Sequence, residues 1–214
     1  KRKEMLLNGF EFNEEADQSL ILPKDGINIL FAGRLEPLKN ADLFLETMLT
    51  LIEKNPNKKY TIFFAGYGSM LEELRKTAES SDYSDRIHFL GQLTPSGMKA
   101  ARVQCDIHVS MNEHGNLTNV NIEAMADGMV VIVPNSNSDS GVDSDTDQFI
   151  PPHVFYRYGA LKDSNALISS INKLSEPEEM ETYQKNAKAF AKDFLKSWDN
   201  RISQEVQIFK DVIS

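Results

Sequence analysis

Ile27-Asn28-Ile29-Leu30-Phe31-Ala32-Gly33 is an apolar run that stops at a glycine. The same phrase returns twice. Tyr60–Ala65 stops at Gly66, and residues 86–90, carrying Ile87, Phe89 and Leu90, stop at Gly91. Helical spacing fills the intervals. Ala41, Phe44, Leu45, Met48 and Ile52 share a face before Asn55-Pro56, and a second helix is expected from about Met70 to Glu79. A short helix over 95–104, a strand over 107–110, a helix over Asn119–Ala126 and a strand over 129–133, stopped by Pro134, continue the rhythm. Short, fully apolar strands belong to a parallel sheet covered on both faces. Strands alternating with helices imply right-handed crossovers, so the expected fold is α/β: a doubly wound, Rossmann-like parallel sheet with a helical C-terminal tail.

The flanks of this rhythm are less regular. Residues 134–151 read as a long Ser/Asp/Asn loop and 153–158 as a last strand. The tail carries three helical stripes: Leu167, Ile168, Ile171 and Leu174; then Ala187, Phe190, Ala191, Phe194 and Leu195; then Ile202, Val206, Phe209 and Ile213. Each is expected to face the core. Residues 1–26 are mostly polar, with Asn8-Gly9 as a turn signal and Pro23, Asp25 and Gly26 at their end. They read as a junction to an N-terminal domain outside this chain, leaving 27–214 as the domain proper. The start at Lys1-Arg2-Lys3 rather than Met suits a piece of a longer protein.

Composition narrows the function. With 41% hydrophobic and 26% charged residues among 214, the chain has the make-up of a soluble globular domain, not of a disordered or collagen-like one. Its net charge of −9 argues against a nucleic-acid partner, and any anionic ligand must be held by a local cationic cluster. The single cysteine, Cys105, allows no internal disulfide and fits a reducing cytosol, so a cytoplasmic location is expected. No window approaches 18 apolar residues, and the N-terminus lacks the apolar core of a signal peptide.

In open α/β sheets ligands bind beyond the carboxyl ends of the strands. After the first strand comes Gly33-Arg34-Leu35-Glu36-Pro37-Leu38-Lys39-Asn40, which places two cations five residues apart around a turn that opens a helix. The free N–H groups and dipole of a helix start add positive potential, and Arg offers a planar fork for phosphate oxygens. The pair Arg34 and Lys39 is a candidate diphosphate clamp. After the second strand, Gly66-Tyr67-Gly68 begins like a dinucleotide fingerprint, but Leu71 stands where its third glycine belongs. A tight turn passing close to a ligand or a neighbouring segment is the preferred reading. After the fourth strand, Gly115 and Asn116-Leu117 lead into Thr118 and Asn119 in the first turn of a helix, whose N–H groups suit a phosphate. Glu123 lies one turn further in, placed to accept hydrogen bonds from ribose hydroxyls.

The order of these pieces resembles the C-terminal half of the family 4 retaining glycosyltransferases of the GT-B fold. The likeness rests on Gly33, Arg34, Leu35, Pro37 and Lys39; on Gly66 and Gly68; on Phe89-Leu90-Gly91; on Asp106; and on Glu123-Ala124-Met125-Ala126-Asp127-Gly128 followed by a β-branched run over 130–133. It runs from Asn8-Gly9-Phe10-Glu11 to Trp198. The resemblance implies that Arg34 and Lys39 grip the diphosphate of a nucleotide-sugar donor of UDP or GDP type. Glu123 would hold its ribose, and the backbone at Gln92 and Leu93 would face its base. The loop Gly115, Asn116, Leu117, Thr118, Asn119 and Val120 would line the pyrophosphate and donor sugar. It implies no metal and no cofactor besides the donor. The acceptor would sit on the missing N-terminal domain, through which any peripheral membrane association would also come.

One position departs from the pattern. The family's first glutamate stands eight residues before its second, and eight before Glu123 is Gly115. Glu113 comes two residues early, with His114 beside it. A domain that binds donor or partner without catalysis therefore stays open as an alternative, as does, from fold alone, a nucleotide-sugar epimerase. Other chemistry fits poorly. Asp143-x-Asp145-x-Asp147 starts like a calcium loop but has Gln148 at the sixth place and Val154 at the twelfth. His88, His108, His114 and His153 show no zinc spacing with Cys105, which reads as a small buried hydrophobe. The sequon Asn116-Leu117-Thr118 reads as coincidence.

Overall fold

Six parallel strands lie side by side in the order β3-β2-β1-β4-β5-β6. They are β1 (Ile27–Ala32), β2 (Tyr60–Ala65), β3 (Ile87–Gly91), β4 (Ile107–Val109), β5 (Val130–Val133) and β6 (Phe155–Arg157). The computed structural model describes residues 9–11, 15–113, 115–137 and 143–213. The strand order runs outward from β1 in one direction and from β4 in the other. A crevice therefore opens between those two neighbours at their carboxyl ends.

Side-chain alternation divides the interior into two layers. Ile29 and Phe31, Ile62 and Phe64, and Val130 and Ile132 point to one face. There they meet α1 (Ala41–Lys54), α2 (Leu71–Glu79) and α6 (Ser164–Leu174) through Phe44, Met48, Leu74, Leu167 and Ile171. Phe64 is at the centre of an aromatic group, with ring centroids 5.7 Å from Phe31, 5.4 Å from Phe44 and 4.8 Å from Phe89. Leu30, Phe63, Val131, Val133 and Phe155 point to the other face. They meet α4 (Asn119–Ala126) and α7 (Pro177–Phe194) through Ile122, Met125, Ala187 and Ala191, with α3 (Pro95–Val103) bordering the layer through half-buried Met98. Cys105 belongs to this second layer, and burial pushes its thiol pKa up.

The polar residues at helix starts act as caps. The hydroxyl of Thr94 accepts from the Gly97 N–H at 3.2 Å and that of Thr118 from the Asn121 N–H at 3.3 Å. Thr118 is thus the residue that caps α4, one place before its first turn. At the opposite end of the sheet, Asp106 ties β4 to β1 by accepting from the Asn28 N–H at 2.8 Å.

Two expectations are corrected. The stretch 134–151 holds a helix, α5 (Ser144–Phe149). Its Ser-Asp-Thr-Asp-Gln-Phe sequence has no apolar period; the helix is fixed by polar bonds around Asp143, described below. The third tail stripe does not face the core. Helix α8 (Trp198–Ile213) leaves at an isolated bridge between Phe10 and Ser197, and Ile202, Val206 and Phe209 are 54%, 46% and 61% exposed. The side chain of Ile213 lies outside the described residues. Among those described, no helix is long and apolar enough to cross a membrane.

Candidate functional site

The register of β1 and β2 brings their terminal glycines side by side. Ala32 pairs with Ala65, and the Gly33 N–H donates to the Ala65 carbonyl at 3.0 Å. A Cβ on Gly66, whose φ is +145°, would lie 1.8 Å from the Gly33 carbonyl oxygen. One on Gly68 would lie 2.3 Å from that of Leu35. The Gly-x-Gly pair is therefore a close approach of two loops. The seam is closed by the Leu35 N–H donating to Tyr67 at 2.9 Å and the Met70 N–H donating to Leu35 at 3.0 Å. It is reinforced by Glu36, whose carboxylate accepts from the Ser69 N–H at 3.0 Å and from its hydroxyl at 2.6 Å. These bonds hold the Glu36 carboxyl below its ordinary pKa.

On this braced loop sit the two cations. Arg34 is exposed, while buried Leu35 anchors the turn beside it. Pro37–Lys39 form a single 3-10 turn, and Asn40, in the left-handed region at φ 53°, redirects the chain into α1. The Asn40 side chain donates to the Met111 carbonyl at 2.9 Å, and Lys39 Nζ donates to Asn112 Oδ1 at 2.7 Å. The loops after β1 and β4 are thus joined across the crevice. Partial burial pushes the Lys39 pKa down, and the Arg34 charge pushes it further. Among the described residues neither cation forms an ion pair. The two cations are near enough for their charges to interact, and Arg34 also acts on the Glu36 carboxylate.

The loop after β4 is held from below by a buried polar chain. The His108 ring lies 3.1 Å from the Leu30 carbonyl oxygen and 2.9 Å from Asn121 Oδ1. Burial keeps its pKa below the ordinary imidazole value despite these contacts. Asn121 Nδ2 donates to the Asn116 carbonyl at 2.8 Å. Asn116 is itself buried, and its N–H and side-chain amide donate to the Asp143 carboxylate at 2.7 and 2.9 Å. Asp143 also accepts from Thr146 and Arg157, and Asp147 accepts from Arg157 as well. Burial opposes ionisation of Asp143, but these bonds outweigh it and its pKa is lowered. The acidic run 143–147 therefore serves as a buttress for α5 and the loop after β4. A Cβ on Gly115 would stand 3.8 Å from Asp143 Oδ1. Glu113 is exposed and borders a pocket with Asn112, Asn116, Asn135 and Lys162. His114 lies outside the described residues.

Leu93, Asn119 and Glu123 share a groove of about 390 Å³ with Phe10, Met98 and Trp198. Glu123 Oε2 accepts from Arg102 at 2.7 Å. The Arg102 Nε donates to Asp127 at 2.6 Å, and Lys99 also bonds Asp127. Gln92 is exposed beside Leu93; Leu117 and Val120 are half-buried. The sequence-derived candidates thus divide among three places: the pair Arg34 and Lys39, the braced loop around Asn116, and the groove of Leu93, Asn119 and Glu123. Gly66 and Gly68 let the loops close, and Gly33, at φ +144°, turns the chain out of β1. Sequence reading passed over Asn40, Asn112, Arg102, Asp127 and Arg157. The one signal was a charged residue, Arg102, directly after the small apolar pair Ala100-Ala101 in a helix.

Comparison with known proteins places this geometry among relatives. A family profile described as glycosyl transferases group 1 matches residues 12–190. A D-inositol 3-phosphate glycosyltransferase from Corynebacterium urealyticum is 29% identical over 124 residues, covering 56% of this chain and 29% of its own length. The chain superposes on Anabaena HepE, crystallised with UDP and glucose, with a TM-score of 0.76 at 16% identity, covering 97% of this chain and 57% of HepE. It also superposes on the C-terminal domain of a group 1 glycosyl transferase family protein, LpcC, from Francisella tularensis. There the TM-score is 0.64 at 19% identity, covering 79% of this chain and 86% of that domain. The chain spans less than a third of the length of the curated relative and somewhat over half of HepE.

Proposed function

The chain belongs to the glycosyl transferases group 1 family, and from that premise we propose that it is the donor-binding half of a retaining glycosyltransferase. The reaction would move a hexosyl group from a nucleotide diphosphate sugar to an acceptor held by an N-terminal domain. The observation that carries this reading is the Arg34–Lys39 cradle. It is a pair of mutually repelling cations at the switch point of a chain whose net charge is −9.

The chemistry follows from where charge develops. As the bond from the sugar to the diphosphate breaks, negative charge grows on the leaving oxygens. Donors already aimed at that point lower the barrier without reorganising. Arg34 supplies a planar fork and Lys39 a point charge, both on a loop fixed by the Gly66–Gly68 seam and by the Asn112 contact. Glu123 is assigned to the ribose hydroxyls, the backbone at Gln92 and Leu93 to the base, and the α4 start at Thr118, Asn119 and Val120 to the pyrophosphate. We assign no protein nucleophile.

Isothermal titration with UDP, GDP and ADP tests the reading. At least one is expected to bind, and Arg34→Ala should weaken it by roughly 1.5–3 kcal/mol, the range for hydrogen bonds to charged groups. No heat from any of the three at millimolar concentration would overturn the reading. A second reading, a module that holds the donor without turning it over, draws on Gly115 at the place of the family's first glutamate. It is separated by assaying transfer or donor hydrolysis in the intact protein. Activity that is lost in Lys39→Ala and Glu123→Ala excludes a mere module.

A further inference from the structure

Glu123 is held by a charged network that reaches it from a different helix. Arg102, on α3, is 2% exposed and extends its guanidinium between two carboxylates of α4 and its C-cap. Its Nε donates to Asp127 Oδ2 at 2.6 Å and one terminal nitrogen donates to Glu123 Oε2 at 2.7 Å. The Asp127 side chain is 1% exposed and is bonded by Lys99 as well. Arg102 thus links the two carboxylates, and Lys99 joins them at Asp127. Of the four, only the Glu123 carboxylate, at 37%, is substantially open to the groove.

Asp127 fixes the plane of the guanidinium, because Nε and the terminal nitrogen belong to one rigid fork. The fork in turn fixes one oxygen of Glu123. A free glutamate has several rotamers and loses that freedom when a ligand takes hold of it. Here the ordering is done before any ligand arrives. We infer that Arg102, clamped by Asp127, is a positioning residue that presents Glu123 in one orientation, so that the groove selects a nucleotide carrying a ribose diol. This rests on the donor-site reading above.

The test uses the full chain and whichever of UDP, GDP or ADP the wild type binds, together with its 2′,3′-dideoxy counterpart. The wild type should favour the ribose form, and Glu123→Gln should abolish that preference. Arg102→Gln should lower affinity for the ribose form about tenfold and leave the dideoxy form unchanged. Added to Glu123→Gln, it should change nothing further. Arg102→Lys keeps the charge without the fork and should also lose the preference; it serves as the second variant should Arg102→Gln fail to fold by circular dichroism. Equal losses for both nucleotides, or additive losses in the double variant, would show a structural role and overturn the inference alone. A wild type that binds no nucleotide overturns the donor reading and the inference with it.

Discussion

On the donor reading proposed above, Lys39 meets the diphosphate already placed by Asn112 and with its charge disfavoured. Burial and the neighbouring Arg34 both depress its pKa. The protonated form attracts an anion, so a bound diphosphate returns the proton affinity that Arg34 removes. Binding should take up protons where the empty site has lost its charge and the filled one has kept it. Affinity for the nucleotide therefore falls as pH rises, starting below the usual lysine range. Titration from pH 7 to 10 checks this, and Lys39→Arg should flatten the profile, since arginine stays charged throughout. An unchanged slope in that variant would remove Lys39 from the cause. The placement of the two cations was legible because they flank a turn after a strand. The Lys39 partner Asn112 was not, because nothing local links positions 39 and 112.

At the scale of elements, the loop after β4 is positioned by polar bonds that a hydrophobic period cannot report. His108 stands in a buried strand and Asn121 on the buried side of α4, where apolar residues are the norm. They are tolerated because each satisfies the other. His108→Leu strands the Asn121 oxygen in the interior and should cost about 1–3 kcal/mol in urea unfolding. The double variant His108→Leu/Asn121→Leu should recover part of that loss, since both polar partners then leave together. A double variant less stable than the single would argue that the loop, not the pair, bears the energy. The same reasoning explains why α5 was read as loop: its six residues are organised by Asp143 and Arg157, whose meeting depends on β6.

Over the whole molecule, the doubly wound parallel sheet was legible because its strands are short and largely apolar, and the first three are closed by glycine. That pattern has few solutions in a parallel sheet. The aromatic group around Phe64 is where the layer of α1, α2 and α6 is locked. Phe64→Ala should cost about 3–5 kcal/mol and lower the melting temperature by roughly 2–4 °C per kcal/mol for a chain of this size, read by thermal circular dichroism. A smaller drop would mean that the neighbouring rings close the gap. The exposed face of α8 was not legible, since an apolar stripe reads the same whether covered or open. Its first residue, Trp198, is half exposed and lines the groove with Leu93 and Glu123. It is also the only tryptophan in the chain. All indole emission therefore originates at the mouth of that groove, and the protein carries its own optical probe for whatever enters there, without any attached dye.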